Sequence, residues 1–359
     1  MKNLLLVVLS IILCFTSCKK SQQSTISNVS DPIRTYFGGR IDINGTDLDL
    51  DRPYSARIGN SDPIEVRYIS STLLEITVPV WAKNGELEIT GNGNTSNVGQ
   101  VLIARLMMVD DQRKVLREHS IGTGFTMKQI KDFGDLRVDH MIYSRNSNEV
   151  VLSLNGDLYD GMRYFYKNRL DDATEVLVDF EAKNIVFDNE GTLYGTIGNE
   201  LAVLSLENGS KMSTVANFDS SPKSITYFES TNSIRGSWEE VDGGYTTNYS
   251  QIIDLTTATV SSKSVQEKDF YEIKSKKDGS YLASVFYEGI IEYSSTDSEI
   301  DFPVIADDCC TNFDYSDDWK LLISTVKKYD RILVVQDGQS GLKTEFNEWG
   351  RQLVIIDPK

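Results

Sequence analysis

The chain has 359 residues, 40% hydrophobic and 25% charged, the balance of a globular protein, and it is longer than one compact core usually serves, so two domains are expected. Its formal net charge is −17, and Lys and Arg cluster only in short pairs such as Lys276–Lys277 and Lys327–Lys328. This argues against a nucleic-acid binder, because phosphate contacts need a concentrated basic face.

The N-terminus has one Lys, a largely apolar run from Leu4 to Phe15 broken by Ser10, and then Thr16, Ser17 and Cys18. A positive start, a short apolar core and small residues at a cut make an export signal, and the run is too short and wrongly flanked for a spanning helix. The ending Phe15–Cys18 resembles a bacterial lipoprotein signal, with Phe15 where that pattern prefers Leu. The resemblance implies that Cys18 becomes the first mature residue and carries acyl chains, so that lipid holds the protein at the outer membrane of a cell envelope. An ordinary secretory signal with an incidental Cys18 is the alternative. Lys19 is not the Asp of inner-membrane retention. The acidic stretch that resembles a surface-export signal in Bacteroidota lipoproteins is absent, which leaves the membrane face open. Residues 19–30 are polar and Ser/Gln-rich, the composition of a flexible tether.

Residues 31–104 read as short strands divided by turns. Leu74, Ile76 and Val78 alternate with Glu75 and Thr77, the mark of a strand with one face on a core. Strands this short and this closely spaced suggest a small immunoglobulin-like sandwich. Three groups of residues resemble the IPT/TIG family. They are Gly39, Ile41, Ile43, Gly45 and Leu48; Ser71, Thr72, Leu74, Ile76, Val78 and Pro79; and Gly85, Leu87, Ile89, Gly91 and Asn92. The usual proline-rich opening is reduced to Asp31–Pro32. The resemblance implies a spacer or interaction module. No Cys is present in this stretch to staple it.

From about residue 105 onward a polar turn followed by an apolar run recurs, before Val150, Thr192, Ser233, Ser280 and Trp319, at spacings of 42, 41, 47 and 39 residues. Four short strands per period of about 40–45 residues suggest the blades of a β-propeller. Runs such as Val150–Leu154, Leu201–Leu206 and Leu321–Val326 are apolar at nearly every position, which fits strands covered on both faces. A stacked antiparallel sandwich is the alternative. The expected fold is therefore all-β, an IPT/TIG-like sandwich followed by a five- or six-bladed propeller over 105–359. Arg105–Ile121 resembles the outer hairpin of a blade. It is expected to complete the C-terminal repeat, whose early strands lie in Asn312–Val326, and Gly122–Asp135 is expected to be a loop.

No HExxH, GxSxG or CxxC pattern occurs, and the chain has only His119 and His140, the latter in a strand. Acidic turns such as Ala306–Asp308 and Ser316–Asp318 lack calcium-loop spacing and read as solvated. No catalytic residue, metal or cofactor is assigned. Cys309 and Cys310 are adjacent and could form a vicinal disulfide in an oxidising envelope. Two stretches, Trp238–Tyr249 and Lys327–Trp349, read as insertions carrying loop aromatics. Trp238, Tyr245, Tyr249, Tyr329 and Trp349 are thus candidates for a ligand-binding face. The expected function is a non-catalytic envelope lipoprotein binding a glycan, peptide or protein partner. A propeller enzyme acting on glycans, or a structural partner in an outer-membrane complex, is the alternative.

Overall fold

The computed structural model describes residues 25–359 other than 80, 92, 111, 120–126, 157–162, 171–173, 267, 269, 286–287, 297–298, 300–309, 320, 327–331, 338–341, 347–351 and 358–359. The described residues are mostly strand, and the one helical element among them is a 3₁₀ turn at Glu229–Thr231. The chain divides between Ile103 and Ala104 into two units.

In the first unit the strands run in the order Thr25–Ile26, Arg40–Thr46, Leu73–Thr77, Ile64–Ser70, Tyr54–Ile58, Gly85–Gly91 and the start of Asn94–Val109. This is one sheet curled over a core. The period-two alternation explains the curl. Ile41, Ile43, Leu74, Ile76, Ala56, Ile58, Leu87 and Ile89 all turn inward to one apolar cluster. Part of the stretch 19–30, expected as a tether, is a strand. Thr25 and Ile26 pair with Thr46 and Gly45, and the Ser27 amide donates to the Asn44 carbonyl at 2.9 Å. The reason is the open edge of Arg40–Thr46, whose unpaired backbone groups take up the passing chain.

In the second unit, five small antiparallel sheets follow one another. The first is Arg137–Ser144, Glu149–Asn155, Arg163–Arg169 and Glu175–Asp179; the second is Ile185–Phe187, Leu193–Ile197, Glu200–Leu204 and Lys211–Asn217. The third is Ser224–Phe228, Ser233–Asp242, Tyr245–Asp254 and Ser264–Gln266. The fourth has Phe270–Ser275, Tyr281–Val285 and Gly289–Tyr293 among the described residues. The fifth is Cys310–Ser316, Leu321–Val326, Ile332–Asp337 and Leu342–Phe346. A further sheet uses both ends of the unit. Gln352–Ile356 pairs with Arg105–Val109, which pairs with Val115–His119, which pairs with Met127–Asp132. The first strand of each sheet touches the first strand of the next. Gln352–Ile356 touches both Cys310–Ser316 and Arg137–Ser144. These inner strands therefore close a propeller-like ring.

Double-sided burial accounts for the apolar strands. In Glu149–Asn155, Val150, Leu152 and Leu154 join a cluster with Met107, Leu116 and Ile356 of the terminal sheet, while Val151 faces Ile185, Leu193 and Leu204 of the second sheet. Leu201 turns to the third sheet and Ala202 to the first. At about 1.5–3 kcal/mol for each fully buried aliphatic side chain, each seam between sheets is a substantial part of the fold's stability. The recurring polar turn also has a physical reason. Asn148, Gly191, Asn232 and Gly279, at the bend from first to second strand, have φ of 52°, 87°, 46° and 90°, a conformation that Gly and Asn enter most readily.

Three expectations about the closure need correction. The stretch Lys327–Trp349 is no insertion, because it holds the two outer strands of the fifth sheet. The hairpin Arg105–Ile121 therefore completes the strand Gln352–Ile356 rather than the repeat at Asn312–Val326. Met127–Asp132, expected as loop, is a strand that caps the edge of Val115–His119.

The seam is locked by charge. The Arg145 guanidinium takes Asp357 in a two-pronged grip, with Nε donating to Oδ1 at 2.6 Å, and also reaches Asp318 Oδ2 at 2.7 Å and Ser316 Oγ at 3.2 Å. Asp357 is only 4% exposed. Loss of Arg145 would strand a buried carboxylate, which costs about 3–5 kcal/mol for a fully buried pair and less for this partly wetted arginine. Arg145→Ala should therefore lower stability in urea by about 2 kcal/mol. Arg145→Lys should recover only part of that, because an ammonium lacks the planar fork. Equal midpoints for Arg145→Ala and wild type would remove this lock from the account.

Candidate functional site

The inner strands surround a lumen. Because alternate residues of a strand face the same way, His140 and Ile142, Val186, Glu272 and Lys274, Asn312 and Gln352 line one cavity of about 290 Å³. Lys274 lies deep in the ring yet keeps 25% of its side chain exposed, as Glu272 does with 24%, so both are wetted from within. The Lys274 ammonium sits 3.1 Å from Glu272 Oε1 and 3.2 Å from Asp314 Oδ1. The outer oxygens of these carboxylates are used as well. Glu272 Oε2 accepts the Phe313 amide at 3.0 Å and Asp314 Oδ2 accepts the Ile355 amide at 2.7 Å. Burial would discharge Lys274, but Asp314 and Glu272 outweigh it and hold the ammonium charged above its ordinary range. Burial raises the Glu272 carboxyl, with Lys274 working against it.

One mouth of the lumen is a polar cavity of about 350 Å³. The recurring turns of all five sheets meet there. Asn146 Nδ2 donates to the Asn189 carbonyl at 3.2 Å, and Tyr227 Oη lies 3.2 Å from both Asn189 Oδ1 and Asn232 Oδ1. The Lys277 amide donates to Asp317 at 2.8 Å, Lys277 Nζ to Asp318 at 2.5 Å, and Arg145 to the other oxygen of Asp318. For Asp318, burial pushes the carboxyl up, but Lys277 and Arg145 together hold it below the usual range. A wider cavity of about 650 Å³ opens between the first and second sheets, against Phe180, Ile197 and Gly209.

The candidate residues fall elsewhere. Trp238 is on a strand, not a loop, and is 3% exposed. Its ring stacks on Tyr249 at 6.3 Å and its Nε1 donates to Glu240 at 3.0 Å. Lys263 covers the other side of that pair, with Nζ 3.9 Å from the Tyr249 ring centre and 2.9 Å from Glu240. The stretch is a long hairpin rather than an irregular insertion. Strands Ser233–Asp242 and Tyr245–Asp254 pair throughout, across Gly243 and Gly244 with φ of 55° and 85°, as a two-residue turn requires. Tyr245, next to that tip, is 82% exposed. None of these three aromatics lines the lumen or its mouth. Tyr329, Trp349, Cys18 and Cys309 lie outside the described residues, and Cys310 opens the first strand of the fifth sheet. His140 lines the lumen and His119 is buried in the terminal sheet. Among the described residues no group of three or more His, Cys, Asp or Glu could hold a metal ion, and no helix is long and apolar enough to cross a membrane.

No protein-family model and no curated protein matches the sequence. Solved structures resemble it in fold. A chain of a nidogen/laminin complex is 8% identical with a TM-score of 0.53, over 70% of this chain and 98% of that one. A DUF4784 family protein from Bacteroides caccae is 11% identical with a TM-score of 0.48, over 93% of this chain and 98% of that one. A protein of unknown function from Bacteroides thetaiotaomicron is 10% identical with a TM-score of 0.45, over 90% and 86%. At these identities the likeness is one of fold alone.

Two outcomes follow from the packing. Trp238→Ala should destabilise the ring by about 3 kcal/mol, as expected for truncating a buried aromatic. A melting temperature equal to wild type would show that the indole is not part of the core. Burial, then the Arg117 charge, lowers the His119 pKa to about 4; burial is also the main cause of a value of about 4 for His140. Unfolded histidines titrate near 6.5, so between these values the unfolded chain binds more protons. This contribution to stability is complete above about pH 6.5 and is lost as pH falls toward 4, by about 3 kcal/mol for His119 and less for the wetted His140. Urea midpoints at pH 7.5 and 4.5 should differ accordingly, and His119→Phe should shrink the difference.

Proposed function

We propose that the chain is a cell-envelope lipoprotein whose ring is a six-bladed propeller that binds a ligand, with the N-terminal IPT/TIG-like domain as a spacer. The observation that carries this reading is the mouth of the lumen. Turns from five successive sheets are tied to one another there, and they line a polar cavity. Preorganisation of that kind lowers the ordering cost of binding. Both cations of the mouth, Arg145 and Lys277, are paired with Asp318, which supports a binding role over a catalytic one. The ligand is a glycan, a peptide or a protein partner.

A propeller enzyme acting on glycans is the second reading, favoured by one observation. Glu272, a carboxyl raised by burial, lines the lumen within reach of whatever ligand enters it.

The anchor and the ligand are tested separately. In cells fed labelled palmitate, the wild-type chain should take up label and sediment with membranes; Cys18→Ala should do neither. Label retained by Cys18→Ala would remove the lipoprotein reading. Immobilised protein should capture a glycan from an array or a partner from an envelope extract, and free wild-type protein should compete. Hydrolysis of a captured glycan that is lost in Glu272→Gln would favour the enzyme.

A further inference from the structure

We propose that the lumen is a binding site for one neutral, polyhydroxylated molecule of about the size of a sugar ring, held by Glu272, Lys274, Asn312 and Gln352 on one side and by Ile142 and Val186 on the other. This deepens the binding role of the ring and rests on it. Four observations lead here.

The first is that the charged groups are deep but wet. A lysine and a glutamate in a sealed core would face a large desolvation cost; here each keeps about a quarter of its side chain, 25% and 24%, open to the lumen. The second is their spare capacity. An ammonium has three donors, and among the described residues Glu272 and Asp314 take two, which leaves one for the lumen. Each Glu272 oxygen accepts one bond and has a second lone pair to offer. Hydroxyls bound to such groups make charge-assisted hydrogen bonds, roughly twice as strong as neutral ones.

The third is charge, which selects against anions. One ammonium lies between two carboxylates, a net charge of −1, so an added anion meets Glu272 and Asp314. A neutral ligand trades water for hydrogen bonds and disturbs no pair. The fourth is shape and lining. A cavity of about 290 Å³ sits at the lower end of small-molecule sites and holds the liquid volume of about ten waters. Ile142 and Val186 give it an aliphatic wall, which suits the C–H face of a ring whose hydroxyls reach the polar side.

Isothermal titration calorimetry on the full chain decides it, with glucose, galactose and myo-inositol as neutral probes. Glucuronate serves as a matched ring bearing one negative charge. At least one neutral probe should bind with a Kd below about 10 mM, and glucuronate at least tenfold more weakly. Gln352→Ala removes a lining amide and leaves the ion pairs intact; it should weaken binding about tenfold at unchanged melting temperature. Glu272→Gln should do the same and also lower stability, because it breaks the pair with Lys274, so Gln352→Ala carries the test. No heat with any neutral probe would overturn the proposal, and so would glucuronate binding equally well. Binding untouched by both variants would move the site out of the lumen while leaving the ring's binding role standing. That role fails separately, if neither the polyols nor an envelope extract yields a ligand.

Discussion

Everything in the second unit depends on one joint. A sheet of three or four short strands cannot bury both of its faces alone, and each gains cover only from its neighbours around the ring. Such an arrangement is stable only when the last neighbour meets the first. Here the meeting is made by backbone hydrogen bonds between Gln352–Ile356 and Arg105–Val109, so the seam is a continuous ladder rather than a packing contact. Arg145 on the first sheet then grips Asp357, one residue past that ladder, while also holding Ser316 and Asp318 of the fifth. A single planar cation thus fastens three sheets where the circle closes.

The same constraint shapes the lumen. Inner strands lean on each other through side chain to backbone bonds that cross from sheet to sheet. Thr226 Oγ1 donates to the Ile273 carbonyl at 3.3 Å and Ser275 Oγ to the Tyr227 carbonyl at 2.7 Å. Glu272 and Asp314 accept amides of the following strand. These residues are therefore both wall and mortar. Close packing between sheets does the rest. At Gly236 an added Cβ would stand 2.6 Å from the Phe218 ring, so the second and third sheets approach more closely than any larger residue allows.

The repeats were legible because one mechanical need recurs. A residue able to take positive φ must turn each inner strand back, which places Asn148, Gly191, Asn232 and Gly279 at near-regular intervals. Double-sided burial was legible as well, because it leaves unbroken apolar runs such as Val150–Leu154. The closing strand and the outer strands of the fifth sheet were harder. Leu342–Phe346, at a sheet edge, is polar at three successive positions, Lys343, Thr344 and Glu345, a pattern shared with any exposed hairpin loop. The lumen residues were not legible. Glu272, Ile273 and Lys274 alternate charge and apolarity as a solvent-facing strand would, and nothing local tells a wet interior from a wet exterior. Trp238 misled for the opposite reason. Flanked by Glu239 and Glu240 it reads as surface, but its indole turns to Phe218 and Ile253.

The seam between Arg105–Val109 and Gln352–Ile356 has a temporal side. Its two halves are separated by nearly the whole second unit, so a chain emerging from its N-terminus must keep one half waiting until the rest of the unit has been made. During that interval the strand Asn94–Val109 has a bare flank, and intramolecular pairing competes with pairing between molecules. Loop-closure entropy grows only logarithmically with the intervening length, so the delay is set by arrival rather than by search. Truncated or stalled chains would be selectively sticky, and an escort that shields a single β-edge would be enough to protect them.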